Sequence, residues 1–293
     1  MSRIITAVPA VFHDDGRLDL TGNARVFQHA LRGGVDALFV NGTTAEFPAL
    51  TREERADLIR TAVREAGADR VVAHVGGAST YEAVAVARDA LEAGAETLAA
   101  LTPFYLPAST AALRDYFGAV RAEAGDTRLF LYLFPDRTGV RVSAEEAALL
   151  VRDFGFVGVK VSMPGLGFVE QLLPLLPAGV EVYSGNDGLL ATVQRLGGAG
   201  VVSGVSSALP TPFVALGDAV ASGDAEAEAA AQQLVDAAVA VLGPSIAALK
   251  LGLLEQGVIE SATVRMAIES PDPGLATRVR DVVRTVMAAE SVG

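Results

Sequence analysis

The sequence predicts an α/β fold, a (β/α)8 TIM barrel with a C-terminal helical extension. Eight short segments rich in Val, Ile, Leu and aromatic residues alternate with longer helical segments between residues 4 and 204. This alternation indicates parallel βαβ units, and eight parallel strands close a barrel. A doubly wound open sheet is the alternative fold, but no GxGxxG motif follows the first segment.

The predicted strands and helices follow one another in regular order. The strands cover residues 4–11, 37–41, 71–75, 97–101, 128–134, 156–162, 181–185 and 200–204. Two of the intervening helices begin with a capping box, formed by Thr51 with Glu54 and by Ser143 with Glu146. From Asp224 onward the pattern is almost purely helical, with breaks at residues 243–244, 257 and 271–274. Residues 1–222 are therefore predicted to form the barrel with the active site, and residues 223–293 a helical bundle.

The composition excludes several classes of function. A formal net charge of −12 argues against nucleic-acid binding, which needs a clustered basic surface. The absence of cysteine excludes disulfides and thiolate chemistry and fits a reducing cytoplasm. No secretory signal and no long apolar run is visible, so we expect a cytoplasmic protein that makes no use of a membrane.

The sixth predicted strand, FVGVKVS, contains one of only two lysines in the chain, Lys160. Alternation turns Val157, Val159 and Val161 toward the helices and Lys160 toward the barrel interior. Its place near the end of the strand is where barrel enzymes hold catalytic groups. A buried amine can attack a carbonyl carbon, which arginine cannot do because it stays protonated. The alternative is a lysine that reaches water or pairs with a carboxylate.

Two further segments carry groups suited to the same chemistry. In LYLFPDRTG, Tyr132 faces inward and is a candidate proton carrier, and Arg137 could hold a carboxylate. In NGTTAE, Thr43 and Thr44 offer hydroxyls and backbone N–H groups to a small carboxylate. Taken singly, these segments favour a core tyrosine, a surface arginine and an ordinary strand-to-helix turn over a binding site.

Together the segments resemble a known family. GTTAEFPALTREE, YLFPDRTG, GVKVS, GND and GVVSG occur in the order and spacing typical of pyruvate-dependent class I aldolases. This is the family of dihydrodipicolinate synthase and N-acetylneuraminate lyase, and the resemblance covers residues 4–210. It implies a lysine Schiff base with pyruvate or another 2-oxo acid, no metal or organic cofactor, and a homo-oligomer, either a dimer or a tetramer.

The resemblance also implies roles for particular residues. Lys160 matches the Schiff-base lysine and Tyr132 the general acid/base. Thr43 matches the hydroxyl that links this phenol to a second tyrosine, here Tyr105, which a neighbouring subunit supplies. The predicted substrate-binding residues are Thr44 for the pyruvate carboxylate, Arg137 for a carboxylate on the partner aldehyde, and Gly185 and Val202 on the pocket wall.

Some positions depart from the family pattern. Ala45 replaces a frequent glycine, and if that position needs a positive φ the alanine would cost about 1 kcal/mol. Leu133, Val161 and Ser207 replace polar residues, and Leu133 predicts a less polar or larger pocket. The second substrate therefore stays open. The chain is predicted to be a 4-hydroxy-tetrahydrodipicolinate synthase-like lyase, an aldolase or dehydratase of 2-keto-3-deoxy sugar acids, or a non-catalytic 2-oxo-acid-binding barrel.

Weaker signals complete the sequence-based picture. Asn186 and Asp187 follow the seventh strand and are predicted either to contact a ligand or to cap a helix. The three histidines form no metal-binding pattern, which favours a metal-free reaction. Lys250, in AALKLGLLEQG, is predicted to lie along a helix with its charged end in water.

Overall fold

A computed structural model of the chain describes residues 3–268 and 273–290. Eight parallel strands pair in sequence order, and β8 pairs with β1 to close the barrel. The predicted fold class is confirmed. The strands are β1 Arg3–Ala7, β2 Ala37–Val40, β3 Val71–His74, β4 Thr97–Leu101, β5 Arg128–Leu133, β6 Gly158–Val161, β7 Glu181–Ser184 and β8 Gly200–Ser203.

The predicted strands overlap the observed ones, but most were drawn too long. The largest error is in β1, which ends at Ala7 because the chain enters a loop that contains Pro9 and leads to α1. Proline lacks the N–H group that would continue the ladder of backbone hydrogen bonds. The side chains that follow each strand therefore lie in loops at the carboxyl end of the barrel.

The helices begin at side-chain caps in most of the places that the sequence predicted. Both capping boxes are present, at Thr51 and Ser143, and Ser79 accepts the Glu82 N–H at the start of α3. The helices are α1 Leu20–Arg32, α2 Arg52–Ala66, α3 Thr80–Glu92, α4 Thr110–Ala124, α5 Pro135–Thr138, α6 Ala144–Phe154, α7 Gly167–Leu172, α8 Leu190–Arg195, α9 Thr211–Ser222, α10 Ala225–Leu242, α11 Ile246–Glu255 and α12 Leu275–Glu290.

Two apolar layers follow from the alternation of side chains along the strands. The outer layer lies between the strands and the helices and contains Val159 and Val161, as predicted. The inner layer fills the barrel and includes Phe39, Tyr132 and Tyr183. The prediction for Val157 was wrong, since it packs against the inner layer; β6 begins one residue later, so Val157 is outside the regular alternation.

Among the described residues, the C-terminal part contains the helices α10, α11 and α12 and a long non-helical segment. Residues 258–268 run without helical structure between α11 and α12, so the prediction of an almost purely helical extension was wrong there. The predicted break at residues 271–274 lies partly outside the described residues, and the division at residue 222 stays a prediction. In the part of the chain that the structure describes, no single helix could span a membrane. Ala225–Leu242 and Ile246–Glu255 reach the necessary length and apolar composition only as a pair, bent by 114°.

Candidate active site

A cavity of about 730 Å³ opens at the carboxyl ends of the strands. It brings together seven of the eight predicted site residues: Thr43, Thr44, Tyr132, Arg137, Lys160, Gly185 and Val202. These residues come from loops and strands up to 159 positions apart in sequence, and the closed barrel turns their ends toward one axis. Tyr105 does not line this cavity.

Lys160 reaches the base of the cavity from β6. Its side chain is nearly buried, with 4% exposure, and its Nζ lies 4.2 Å from the ring centroids of both Phe39 and Tyr132. Within the described residues, no carboxylate forms an ion pair with Nζ. The 4% exposure contradicts the alternative of a lysine that reaches water, and among the described residues the alternative of a pairing acid finds no support. The amine is held between two aromatic faces and points at the space a substrate would occupy.

Tyr132 and Thr43 form a polar pair beside the lysine. The hydroxyl oxygens of the two residues are 3.3 Å apart, and Tyr132 is buried with 1% exposure. The Phe39 ring meets the Tyr132 ring edge to face, with centroids 5.7 Å apart, and fixes its plane. The phenol is thus held beside the Lys160 amine, with a second hydroxyl to exchange a proton with.

Tyr105 follows β4 and points away from the cavity of its own chain. Its side chain is 90% exposed, and its backbone φ of +80° is in a region that non-glycine residues rarely adopt. A backbone strained in this way costs of order 1–3 kcal/mol and persists only where something compensates for it. The monomer alone therefore does not use this side chain at the Lys160 site.

The loop that carries the two threonines has a tightly constrained backbone. A Cβ on Gly42 would lie 2.8 Å from the Phe39 ring, so only glycine fits there. Positive φ values occur at Asn41 (+61°) and Glu46 (+56°), while Ala45 lies in a 3-10 turn. The backbone strain anticipated at Ala45 is therefore absent, and the strained residues are Asn41 before it and Glu46 after it.

The other departures from the family pattern lie outside the cavity. Leu133 and Val161 belong to the outer layer between strands and helices. Ser207 is fully buried and donates its hydroxyl to the Gly204 carbonyl. The prediction that Leu133 makes the pocket less polar was wrong, because alternation along β5 turns it away from Tyr132.

His74 and Arg55 lie behind the cavity and were not identified from the sequence. The His74 ring contacts the Phe47 and Tyr132 rings, and its Nδ1–H donates to the Asn41 carbonyl at 2.7 Å. Burial, followed by the nearby Arg55 and Lys160 cations, holds the pKa of His74 well below 6.5. Burial also lowers the pKa of Arg55 to about 10, and its guanidinium donates to the His74 carbonyl at 2.9 Å.

We expect His74 to make the fold sensitive to mild acid. Below about pH 6.5 the unfolded chain protonates this imidazole, whereas the folded protein keeps it neutral. The free energy of unfolding therefore holds its full value above that pH and decreases as the pH is lowered further, by up to about 1.4 kcal/mol per pH unit. Thermal unfolding between pH 5 and 7 measures this slope. A His74→Asn variant should lose it, and His13→Asn, in an exposed loop, should keep it. An unchanged slope in His74→Asn would contradict the assignment.

Asn186 and Asp187 line the cavity after β7. Neither caps a helix with its side chain. Asp187 instead accepts hydrogen bonds from the Ser203 hydroxyl and from the Val205 N–H at 3.0 Å, and so holds the turn after β8. Over the described ranges, no group of three or more His, Cys, Asp or Glu side chains is arranged to hold a metal ion.

The profile of the Dihydrodipicolinate synthetase family matches residues 1–284. The chain belongs to this family. A 4-hydroxy-tetrahydrodipicolinate synthase from Exiguobacterium sibiricum is 34% identical over 220 residues, which make up 75% of each chain. The protein of that name from Xanthomonas axonopodis pv. citri is 36% identical over 231 residues, or 78% of this chain and 76% of the relative.

Solved structures of the family have the same fold along almost the whole chain. A dihydrodipicolinate synthase from Thermotoga maritima superposes with a TM-score of 0.90 at 26% identity, covering 98% of this chain and 99% of that one. A prophage protein of the dihydrodipicolinic acid synthase family from E. coli K12, solved in complex with pyruvate, gives 0.88 at 25% identity, with coverage of 98% and 99%. Membership of this family makes the chain a lyase of the class I aldolase type, which uses a Schiff base to act on a 2-oxo acid.

Proposed function

We propose that Lys160 is the nucleophile of this lyase and that its 2-oxo acid is pyruvate or a close analogue. The observation that carries the proposal is the environment of the Lys160 amine, which is buried between two aromatic rings and directed into the cavity. Such a site holds the amine where the carbonyl carbon of a bound 2-oxo acid can reach it, and it keeps bulk water away from the reacting atoms. The hydroxyl of Tyr132 supplies the proton transfers that imine formation requires.

The first half of the reaction forms the imine. The Lys160 nitrogen attacks C2 of the 2-oxo acid, and the carbonyl oxygen takes a proton from Tyr132 to give a carbinolamine. The nitrogen loses a proton, the hydroxyl group leaves as water after protonation, and a protonated imine remains. Thr43, 3.3 Å from the phenol oxygen, returns the proton to Tyr132 between these steps.

The second half uses the imine as an electron sink. Loss of a proton from C3 gives an enamine, whose C3 forms a carbon–carbon bond to the carbonyl carbon of a partner aldehyde while the aldehyde oxygen gains a proton. Water then releases the product from Lys160. In the reverse direction, the imine of a larger 2-oxo acid accepts the electrons of a breaking carbon–carbon bond, the aldehyde leaves, and the same enamine remains. The chemistry alone therefore fits a synthase or an aldolase.

Substrate binding is assigned to the rim of the cavity. We assign the 2-oxo acid carboxylate to Thr44 and the backbone N–H groups of its loop, and a carboxylate on the partner to Arg137. Gly185 and Val202 limit the space around the imine. The position of each residue on the cavity wall supports these roles. The names of the relatives favour the synthase reaction. Aspartate semialdehyde is therefore the partner that we propose to test first.

The function is tested by reduction with borohydride in the presence of pyruvate. We expect a stable adduct on the peptide that contains Lys160, located by mass spectrometry, and turnover with one member of a substrate panel. The panel is pyruvate with aspartate semialdehyde, N-acetylneuraminate, 2-keto-3-deoxygluconate and 5-keto-4-deoxyglucarate. Failure to trap any 2-oxo acid would favour a binding protein, and an adduct on another residue would remove Lys160 from the reaction.

We further propose that Tyr105 completes the site of a second copy in a homo-oligomer. Its 90% exposure and its distance from its own cavity support this. Tyr105→Phe should lower kcat by about 10-fold or more if the phenol exchanges protons with Thr43. Subunit exchange between Tyr105→Phe and Lys160→Ala should restore activity, because mixed oligomers contain one complete site. Without such recovery, the tyrosine does not act between subunits.

The remaining proposals concern location and domain organisation. The lack of cysteine supports a cytoplasmic protein. We propose that residues 1–222 hold the catalytic groups and that residues 223–293 serve the barrel as a helical extension. Residues of this extension, among them Met266 and Ile268, also line the cavity.

A further inference from the structure

The second lysine of the chain, Lys250, is buried in an ion pair. Its Nζ donates to Glu46 Oε1 at 2.6 Å and to the Thr263 carbonyl at 2.7 Å, and both charged side chains have 0% exposure. The expectation that its charged end would reach water was therefore wrong. Burial lowers the pKa of Lys250, and the Glu46 carboxylate opposes this effect.

Glu46 connects the catalytic loop to the non-helical segment after α11. It lies two residues after Thr44, and its Oε2 accepts the backbone N–H groups of Arg265 at 2.8 Å and of Met266 at 2.7 Å. One carboxylate thus holds a lysine of α11 and two consecutive amides of residues 261–268, here named the strap. Each of these contacts spans more than 200 residues of sequence.

The strap is held in place by a second group of contacts and forms part of the cavity wall. The Arg265 guanidinium donates to both carboxylate oxygens of Glu54, at 2.7 and 2.6 Å, and to the Gly16 carbonyl at 2.7 Å. Beyond this anchor, Met266 and Ile268 line the cavity. The strap therefore supplies an apolar wall at the outer part of the site.

Stability alone is a weak reason to bury this ion pair. Removing two charges from water costs free energy that their attraction barely offsets, and apolar pairs of similar volume are often as stable or more so. The pair does fix geometry, because the carboxylate accepts from three donors at once and Glu46 itself has a strained, positive φ. A fixed position of the strap gives the cavity wall that it forms a defined shape.

We propose that Glu46 and Lys250 are positioning residues that fix the strap as the outer wall of the active site, and that this wall selects the carbonyl compound that reacts with the enzyme-bound 2-oxo acid. The proposal rests on the proposed function, in which Lys160 holds the 2-oxo acid at the base of the cavity. The partner compound then lies between the enamine and the strap. Met266 and Ile268 offer it apolar contacts, and Arg137, which also lines the cavity, is assigned to its charged group.

Hydrogen exchange tests the positioning without any substrate. Glu46→Gln keeps the size of the side chain but weakens its hold on Lys250 and on the two strap amides. We expect exchange at the Arg265 and Met266 amides to become about 10-fold faster or more, with strands β5 and β6 unchanged. Unchanged exchange rates of the strap amides would overturn the proposal, and this outcome does not depend on whether Lys160 forms the imine.

Kinetics test the selection with pyruvate and the panel member that gives turnover, aspartate semialdehyde first. In Lys250→Met and in the Glu46→Gln, Lys250→Met double variant, we expect KM for the partner to rise about 10-fold and KM for pyruvate to change less than about 3-fold. Borohydride trapping of pyruvate should persist. If either variant fails to fold, Met266→Ala replaces it in the test, because this substitution shortens a side chain of the wall and leaves the Glu46 and Lys250 contacts in place. It should raise KM for the same partner compound.

Arg70→Met is the matched control, because Arg70 donates to the backbone carbonyls of Val35 and Asp36 at the opposite end of the barrel. It should leave both KM values unchanged. If the Glu46–Lys250 pair only stabilises the fold, a different result is expected. Both KM values would then change in proportion to the loss of thermal stability, and both would return to their original values in the double variant. That result overturns the proposal, whereas loss of pyruvate trapping in the unaltered chain counts against Lys160 chemistry alone.

Discussion

Lys160→Arg is expected to lower turnover by at least about 10⁴-fold and to abolish the borohydride-trapped adduct. Arginine keeps the positive charge and the length of the side chain, but it does not release a proton to become a nucleophile. Without the imine there is no electron sink for the C3 carbanion. Steady-state rates and intact-protein mass after reduction with pyruvate measure the two effects together.

Lys160→Met separates the chemistry from the fold. Methionine has a similar length and fills the space between the Phe39 and Tyr132 rings with a sulfur that packs well against aromatic groups. Because the variant replaces a buried amine that has no carboxylate partner among the described residues, we expect a thermal midpoint equal to or above that of the unaltered chain. Turnover within 10-fold of the unaltered chain in a folded Lys160→Met protein would remove Lys160 from the mechanism.

The barrel and the inward placement of Lys160 could be predicted because they depend on local patterns. The alternation of Val159 and Val161 with Lys160 needs no knowledge of distant residues, and the capping boxes at Thr51 and Ser143 lie within four residues of sequence. The same rule, which had turned Val161 of β6 toward the helices, would also have turned Leu133 of β5 away from the cavity. The error about pocket polarity was therefore avoidable from the sequence.

Contacts between distant segments could not be predicted in this way. The helical pattern around Lys250 gives no sign of Glu46, which is 204 residues earlier. The non-helical strap depends on amide contacts to that same carboxylate, and the surroundings of His74 depend on Arg55 and Phe47 from the loop and helix after β2. A lysine in an otherwise apolar helix was the available signal that a buried acid lies nearby.

Tyr132→Phe is expected to lower kcat by about 10²–10³-fold while the fold and the ring packing persist. The phenyl ring still covers the Lys160 amine and meets Phe39 edge to face, so the change removes little more than the hydroxyl that lies 3.3 Å from Thr43. Imine formation and C3 deprotonation both lose their proton carrier, and so the rate of borohydride trapping with pyruvate should fall together with turnover.

Tyr183→Phe is the matched control for Tyr132→Phe. Tyr183 is also a buried tyrosine of the barrel interior, pairs in register with Lys160 across β6 and β7, and stacks on Phe130, but it does not line the active-site cavity. Loss of its hydroxyl should leave kcat within about 3-fold, because Tyr183 does not line the cavity in which the reaction is proposed to take place. Equal losses in the two variants would mean that the Tyr132 hydroxyl acts through packing of the barrel and not through proton transfer at the imine.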